Sequence, residues 1–126
     1  MKNIFISFFI FFCMILGIIF SLNALDRIYG NLDNLNSKLE QSIEKEDWES
    51  ANLLVNEISD EWHENCNKLY IFLNHNEIDN INSELSKLTQ YIKYNNKEES
   101  MASLYVVKFF FQHTLDLEKI SYQNIF

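Results

Sequence analysis

Proline is absent from this chain, and its only glycines are Gly17 and Gly30. Tight turns draw heavily on both residues, so a sheet with many reversals is excluded and long helices joined by Asn-rich corners are expected. Cysteine is nearly as scarce. Cys13 lies in an apolar run and Cys66 in the polar remainder, so the two cannot pair and neither a disulfide framework nor a Cys-based metal site can be built. Basic side chains are few, with 10 Lys and Arg against 18 Asp and Glu, for a net charge of −8. Nucleic-acid binding wants basic patches, and lying flat on an anionic membrane wants a basic face; this balance argues against both. Motifs of catalysis are missing too: there is no HExxH, CxxC, glycine-rich phosphate loop or nucleophile–base pair. A non-enzymatic protein without a cofactor is the expectation.

What is present is dominated by Ile4–Leu22, a run without a charge that only Ser7, Gly17 and Ser21 interrupt. As a helix it covers roughly 28 Å, close to the thickness of a bilayer's hydrocarbon core. A cleaved signal peptide has a shorter apolar region and small residues at its cleavage site, whereas Leu22-Asn23-Ala24 puts Leu where a small residue is wanted. An uncleaved anchor follows. Residues 1–23 are read as a short tail and signal-anchor, and residues 24–126 as an acidic helical domain. Counts of basic residues at the two ends decide little about orientation. A Lys-led apolar start followed by an acidic domain places the N-terminus in the cytoplasm and the C-terminal domain outside, in a single-pass cell-membrane protein.

Beyond the anchor the apolar residues recur at helical spacing. Leu25, Ile28, Leu32, Leu35, Leu39 and Ile43 form one stripe, continuous with the anchor helix or hinged to it, and Gly30 weakens a continuous helix there. A second stripe holds Trp48, Ala51, Val55, Ile58, Trp62, Cys66 or Leu69, and Leu73, with Asp47 as N-cap. Ile78, Ile81, Leu85, Leu88 and Ile92 make a third. Asn96 followed by Glu99 resembles a capping box that opens a fourth helix from about Lys97 to Ile120, apolar nearly all round in its middle, like a central buried helix. Ser121–Phe126 is then a short tail, folded onto the domain or docked on a partner. The fold expected is all-α: one N-terminal transmembrane helix followed by an antiparallel bundle of three to four helices. A tandem helix-hairpin repeat of the tetratricopeptide kind is the runner-up, since Trp48 and Ala51 match the start of one such unit.

His75-Asn76-Glu77-Ile78-Asp79 is the most site-like cluster. Two such side chains at helical spacing can approach a divalent metal, but two ligands are not a site, and an Asn/His corner with acids favouring a helix start explains the same residues. No metal site is expected. Trp48 and Trp62 share a helical face and are read as core. Phe109, Phe110 and Phe111 are consecutive and cannot all face one core, so one must meet a neighbour, a partner or lipid. His75, Glu77, Asp79, Phe109 and Phe126 are therefore the candidate residues for a partner or ligand surface.

With Trp48-x-x-Ala51, Trp62, Asn74-His75-x-Glu77-Ile78-Asp79, Leu88-Thr89-Gln90-Tyr91-Ile92 and the closing Asn124-Ile125-Phe126 in view, the chain resembles an uncharacterised bacterial family, domain of unknown function 4363. The resemblance runs essentially end to end. It implies a small, singly anchored helical protein and an envelope complex with another small membrane protein, and it supplies no activity. The expected role is that of a membrane-anchored accessory or interaction protein of the bacterial cell envelope. Its partners would be the bilayer through Ile4–Leu22 and a membrane protein or a second copy of the chain. The alternative is an extracytoplasmic ligand- or metal-sensing module.

Overall fold

The computed structural model describes residues 1–69 and 73–125, with the backbone alone for 118 and 121–125. Four helices account for nearly all of them: α1 (Lys2–Glu44), α2 (Trp48–Leu69), α3 (His75–Lys93) and α4 (Lys97–Ile125). No strand occurs among the described residues.

Helix α1 is one uninterrupted element of 43 residues, about 65 Å long. Gly30 neither breaks nor hinges it, and nothing lies within 4 Å of where its Cβ would stand. The first half of α1 is long and apolar enough to cross a membrane, and none of its most apolar window is buried in the protein. The second half buries Leu25, Ile28, Tyr29, Leu32, Asn36, Leu39 and Ile43. Asn36 takes the place expected of Leu35, which is only half-buried against the core. Both residues follow Leu32 at helical spacing, and the facing helices decide between them.

The chain reverses twice by the same device. After α1, Glu46 adopts a left-handed φ of 57°, its N–H donates to the Ile43 carbonyl and the Asp47 N–H donates to the Ser42 carbonyl. After α3, Asn95 has φ 55°, its N–H donates to the Ile92 carbonyl and the Asn96 N–H donates to the Tyr91 carbonyl. Both are Schellman closures. In each, the last residue of the connector caps the next helix: Asp47 Oδ1 accepts from the Ser50 N–H, and Asn96 Oδ1 from the Glu99 N–H. Buried positions on either side correspond at one constant offset. Leu32 answers to Ile81, Asn36 to Leu85, Leu39 to Leu88, Ala51 to Ser100, Val55 to Leu104, Ile58 to Val107 and Trp62 to Phe111. The two halves are thus two copies of one helical hairpin.

Each helix packs on its neighbours in sequence, and α1 also packs on α4, closing a ring that an open stack of hairpins would lack. Three contacts fix the pairing of α1 with α4. Lys97 Nζ donates to the Glu44 carbonyl at 2.9 Å, Lys108 pairs with Glu40, and Lys119 pairs with Asp26 at 3.1 Å. As the α4 number rises the α1 number falls, so these two helices are antiparallel. At the centre, Trp62 is fully buried; its indole N–H donates to Asn82 Oδ1 at 2.7 Å and its ring lies 5.4 Å from that of Phe111. Phe111 in turn meets Tyr29 edge-on at 6.2 Å. One aromatic cluster thus ties α1, α2 and α4, while the Asn82 bond brings in α3.

Two expectations are corrected here. Helix α4 is not buried all round: one side packs on α1 and α3, with Phe111 reaching Trp62 of α2, and Tyr105 and Phe109 stand exposed. Nor is Ser121–Ile125 a separate tail, because the helix continues through Ile125.

Candidate functional site

His75 opens α3, with Asn74 as its N-cap accepting from the Asn76 N–H. His75 and Asp79 are exposed and Glu77 is half-buried on the first turn, where its charge suits the helix dipole. Among the described residues no three His, Cys, Asp or Glu side chains converge to hold a metal ion. The corner is accounted for as the start of a helix. Phe126 lies outside the described residues.

The three phenylalanines separate by direction. Phe111 is buried, Phe110 is half-buried against the core, and Phe109 is 58% exposed. Phe109 is not isolated. Tyr105, 75% exposed, lies one turn before it, and His113 lies one turn after it with its ring stacked on that of Phe109 at 5.7 Å and 8°. Leu117 and Ile120 extend the same side of the helix toward its end. Positions 105, 109 and 113 recur every four residues and so stand above one another. The result is an aromatic ridge along the outer face of α4, and Lys108 beside it is engaged with Glu40. Its spacing was available in the sequence. Its direction was not, because the residues on the other sides of α4 are apolar as well.

Cavities offer less. An open groove of about 430 Å³ runs between Lys38 and Ser42 of α1, Lys45 just after it, and Asp47, Ser50 and Leu54 around the start of α2. Its polar groups serve the backbone: the Ser42 hydroxyl donates to the Lys38 carbonyl, and Asp47 Oδ1 accepts from the Ser50 N–H. A cavity of about 20 Å³ lies beside Asn36, Lys108 and Phe111. Asn36 Oδ1 and Ser100 Oγ are buried with no hydrogen-bond partner among the described residues. A third hollow, of about 220 Å³, is lined by Phe20, Asn23, Ala24 and Arg27, where the apolar half of α1 meets the polar half.

Compared with known proteins, residues 19–125 match a family model whose description is domain of unknown function (DUF4363). No curated protein and no solved structure matches the chain.

Proposed function

The chain belongs to the domain of unknown function family DUF4363, and from that starting point we propose that it is a membrane-anchored, non-enzymatic accessory protein of the bacterial cell envelope. In this reading the first half of α1 spans the cell membrane once. The N-terminus is cytoplasmic, and the remainder forms an antiparallel four-helix bundle on the outer side. The ring of helix contacts and the antiparallel α1–α4 pairing support the bundle, and the exposed apolar half of α1 supports the anchor.

The observation that carries an interaction role is the ridge of Tyr105, Phe109 and His113. Aromatic side chains in water forgo the stabilisation of burial and are enriched where proteins meet partners. The partner is another membrane protein or a second copy of the chain, reached sideways across α4. The alternative, a sensing module built on His75, Glu77 and Asp79, finds no group of three metal-ligating side chains among the described residues to support it.

Replacing exposed ridge residues separates binding from folding. Phe109→Glu and Tyr105→Glu are expected to leave the melting curve of the full chain within about 0.5 kcal/mol of wild type. Both are expected to abolish the complex that co-purifies after mild detergent extraction. A wild-type chain that is a solitary monomer, or a Phe109→Glu variant that keeps its complex, contradicts the proposal.

A further inference from the structure

The ion pair Asp26–Lys119 lies at a boundary in both helices that it joins. On α1, no charged side chain occurs from Asn3 to Leu25, and Asp26 is the first acid. On α4, Lys119 is the last charged side chain, and Ile120-Ser121-Tyr122-Gln123-Asn124-Ile125 follows without one. Helix α4 is antiparallel to α1 here and stays helical through Ile125. It therefore advances from Lys119 toward the apolar end of α1 by about 9 Å, six residues at 1.5 Å each. The apolar run ends at Leu22, only about 6 Å along α1 from Asp26. The end of α4 thus reaches the level of the last residues of the span. Since α1 is one unbroken helix, no hinge lets the domain lift away from that level.

From this register we infer that the end of α4, Ile120–Ile125, is a second membrane contact, immersed in the interfacial layer of the leaflet beside the α1 span. This inference rests on the reading of α1 as a transmembrane anchor. The interfacial layer is several ångströms deep on each side of the hydrocarbon core, enough to receive the last turns of α4. Composition agrees with that depth. Ile120 is 52% exposed in the protein, Tyr122 is a residue type enriched at this level of membranes, and Lys119 and Arg27 are long enough to keep their charges at the headgroups. A helix end carries unpaired carbonyls, which the wet interface can satisfy and the hydrocarbon core cannot. The occupant of this apolar end is accordingly the bilayer in which α1 is seated, continuous with the span.

Nitroxide labels on single cysteines measure depth directly, as the ratio of collisions with oxygen, which concentrates in lipid, to collisions with a water-soluble nickel chelate. The full chain is placed in vesicles of mixed phosphatidylcholine and phosphatidylglycerol. The labels are native Cys13 in the span, Ala102→Cys on the outer part of α4, and Ile120→Cys and Asn124→Cys at its end. The last three are made in a Cys13→Ala background, all four carry Cys66→Ala, and circular dichroism checks that each variant keeps its helix content. The expected result is a collision ratio several-fold higher at positions 120 and 124 than at 102, with Cys13 the most lipid-exposed of the four. If Cys13 reads as lipid while 120 and 124 read like 102, the second contact is wrong and the anchor stands. If Cys13 itself reads as water, the anchor fails and this inference fails with it.

Discussion

Asn36 occupies the position in α1 that Leu85 occupies in α3, and both are buried. Its Oδ1 has no partner among the described residues, and a small cavity adjoins it. A buried polar atom without a partner loses its hydration without recompense, at about 1–3 kcal/mol. Asn36→Leu keeps the branched skeleton with two methyl groups of larger volume in place of the amide, and installs what the sister hairpin already uses. It should stabilise the full chain by about 1–2 kcal/mol, several degrees in melting temperature for a domain of this size. An unchanged or lower melting temperature would mean that the amide is satisfied. None of this was visible in the sequence. Leu35 and Asn36 both continue the stripe from Leu32, and choosing by apolarity selects Leu35, the residue that is only half-buried. Trp62, in contrast, was legible as core, since its large ring stands at helical spacing among aliphatic residues. Its hydrogen bond to Asn82 was not, because the pairing of α2 with α3 is set by packing and not by local sequence.

At the scale of elements, α3 was the most legible helix and α4 the least. All five apolar residues expected in α3 are buried, because the polar positions between them define the phase of the stripe. In α4 the run Leu104–Phe111 is apolar on every side except at Lys108, so its period carries no direction. Only the packing against Tyr29 of α1 and Trp62 of α2 turns Phe111 inward and leaves Phe109 outward. The connectors were half-legible: Asp47 and Asn96 read as caps, while the closures before them need a left-handed residue where the sequence offers Glu46 and Asn95 instead of glycine. Glutamate pays about 1 kcal/mol or more in that conformation, and asparagine less because its side chain hydrogen-bonds locally. Glu46→Gly should therefore stabilise the chain by about 0.5–1 kcal/mol, and Asn95→Gly by clearly less. Urea titration of the two variants beside wild type checks the order, and a larger gain at position 95 would reverse the argument.

The whole molecule is two copies of one hairpin, the first of which has its leading helix prolonged into an apolar rod. That prolongation puts a stretch long and apolar enough to cross a membrane at one end of a single unbroken helix and the core stripe at the other. The ion pairs between α1 and α4 are too exposed to hold the structure, since such pairs are typically worth about 0–1 kcal/mol, but they record how the two helices align. The all-helical class and an N-terminal helix long and apolar enough to cross a membrane followed from composition and period. The continuity of α1 through Gly30 and of α4 through Ile125 did not, because a lone glycine and a Ser/Gln/Asn-rich end are weak breakers that packing can override. The proposed role requires that α1 anchors the chain once and leaves the domain outside. The most direct test is labelling of a single exposed cysteine, Glu57→Cys with Cys13 and Cys66 replaced by Ala, by a membrane-impermeant maleimide in intact cells and in lysed cells. Full labelling in intact cells is expected, with the protein retained in the membrane pellet. Labelling only after lysis would contradict the orientation, and recovery of the chain in the soluble fraction would contradict the anchor itself.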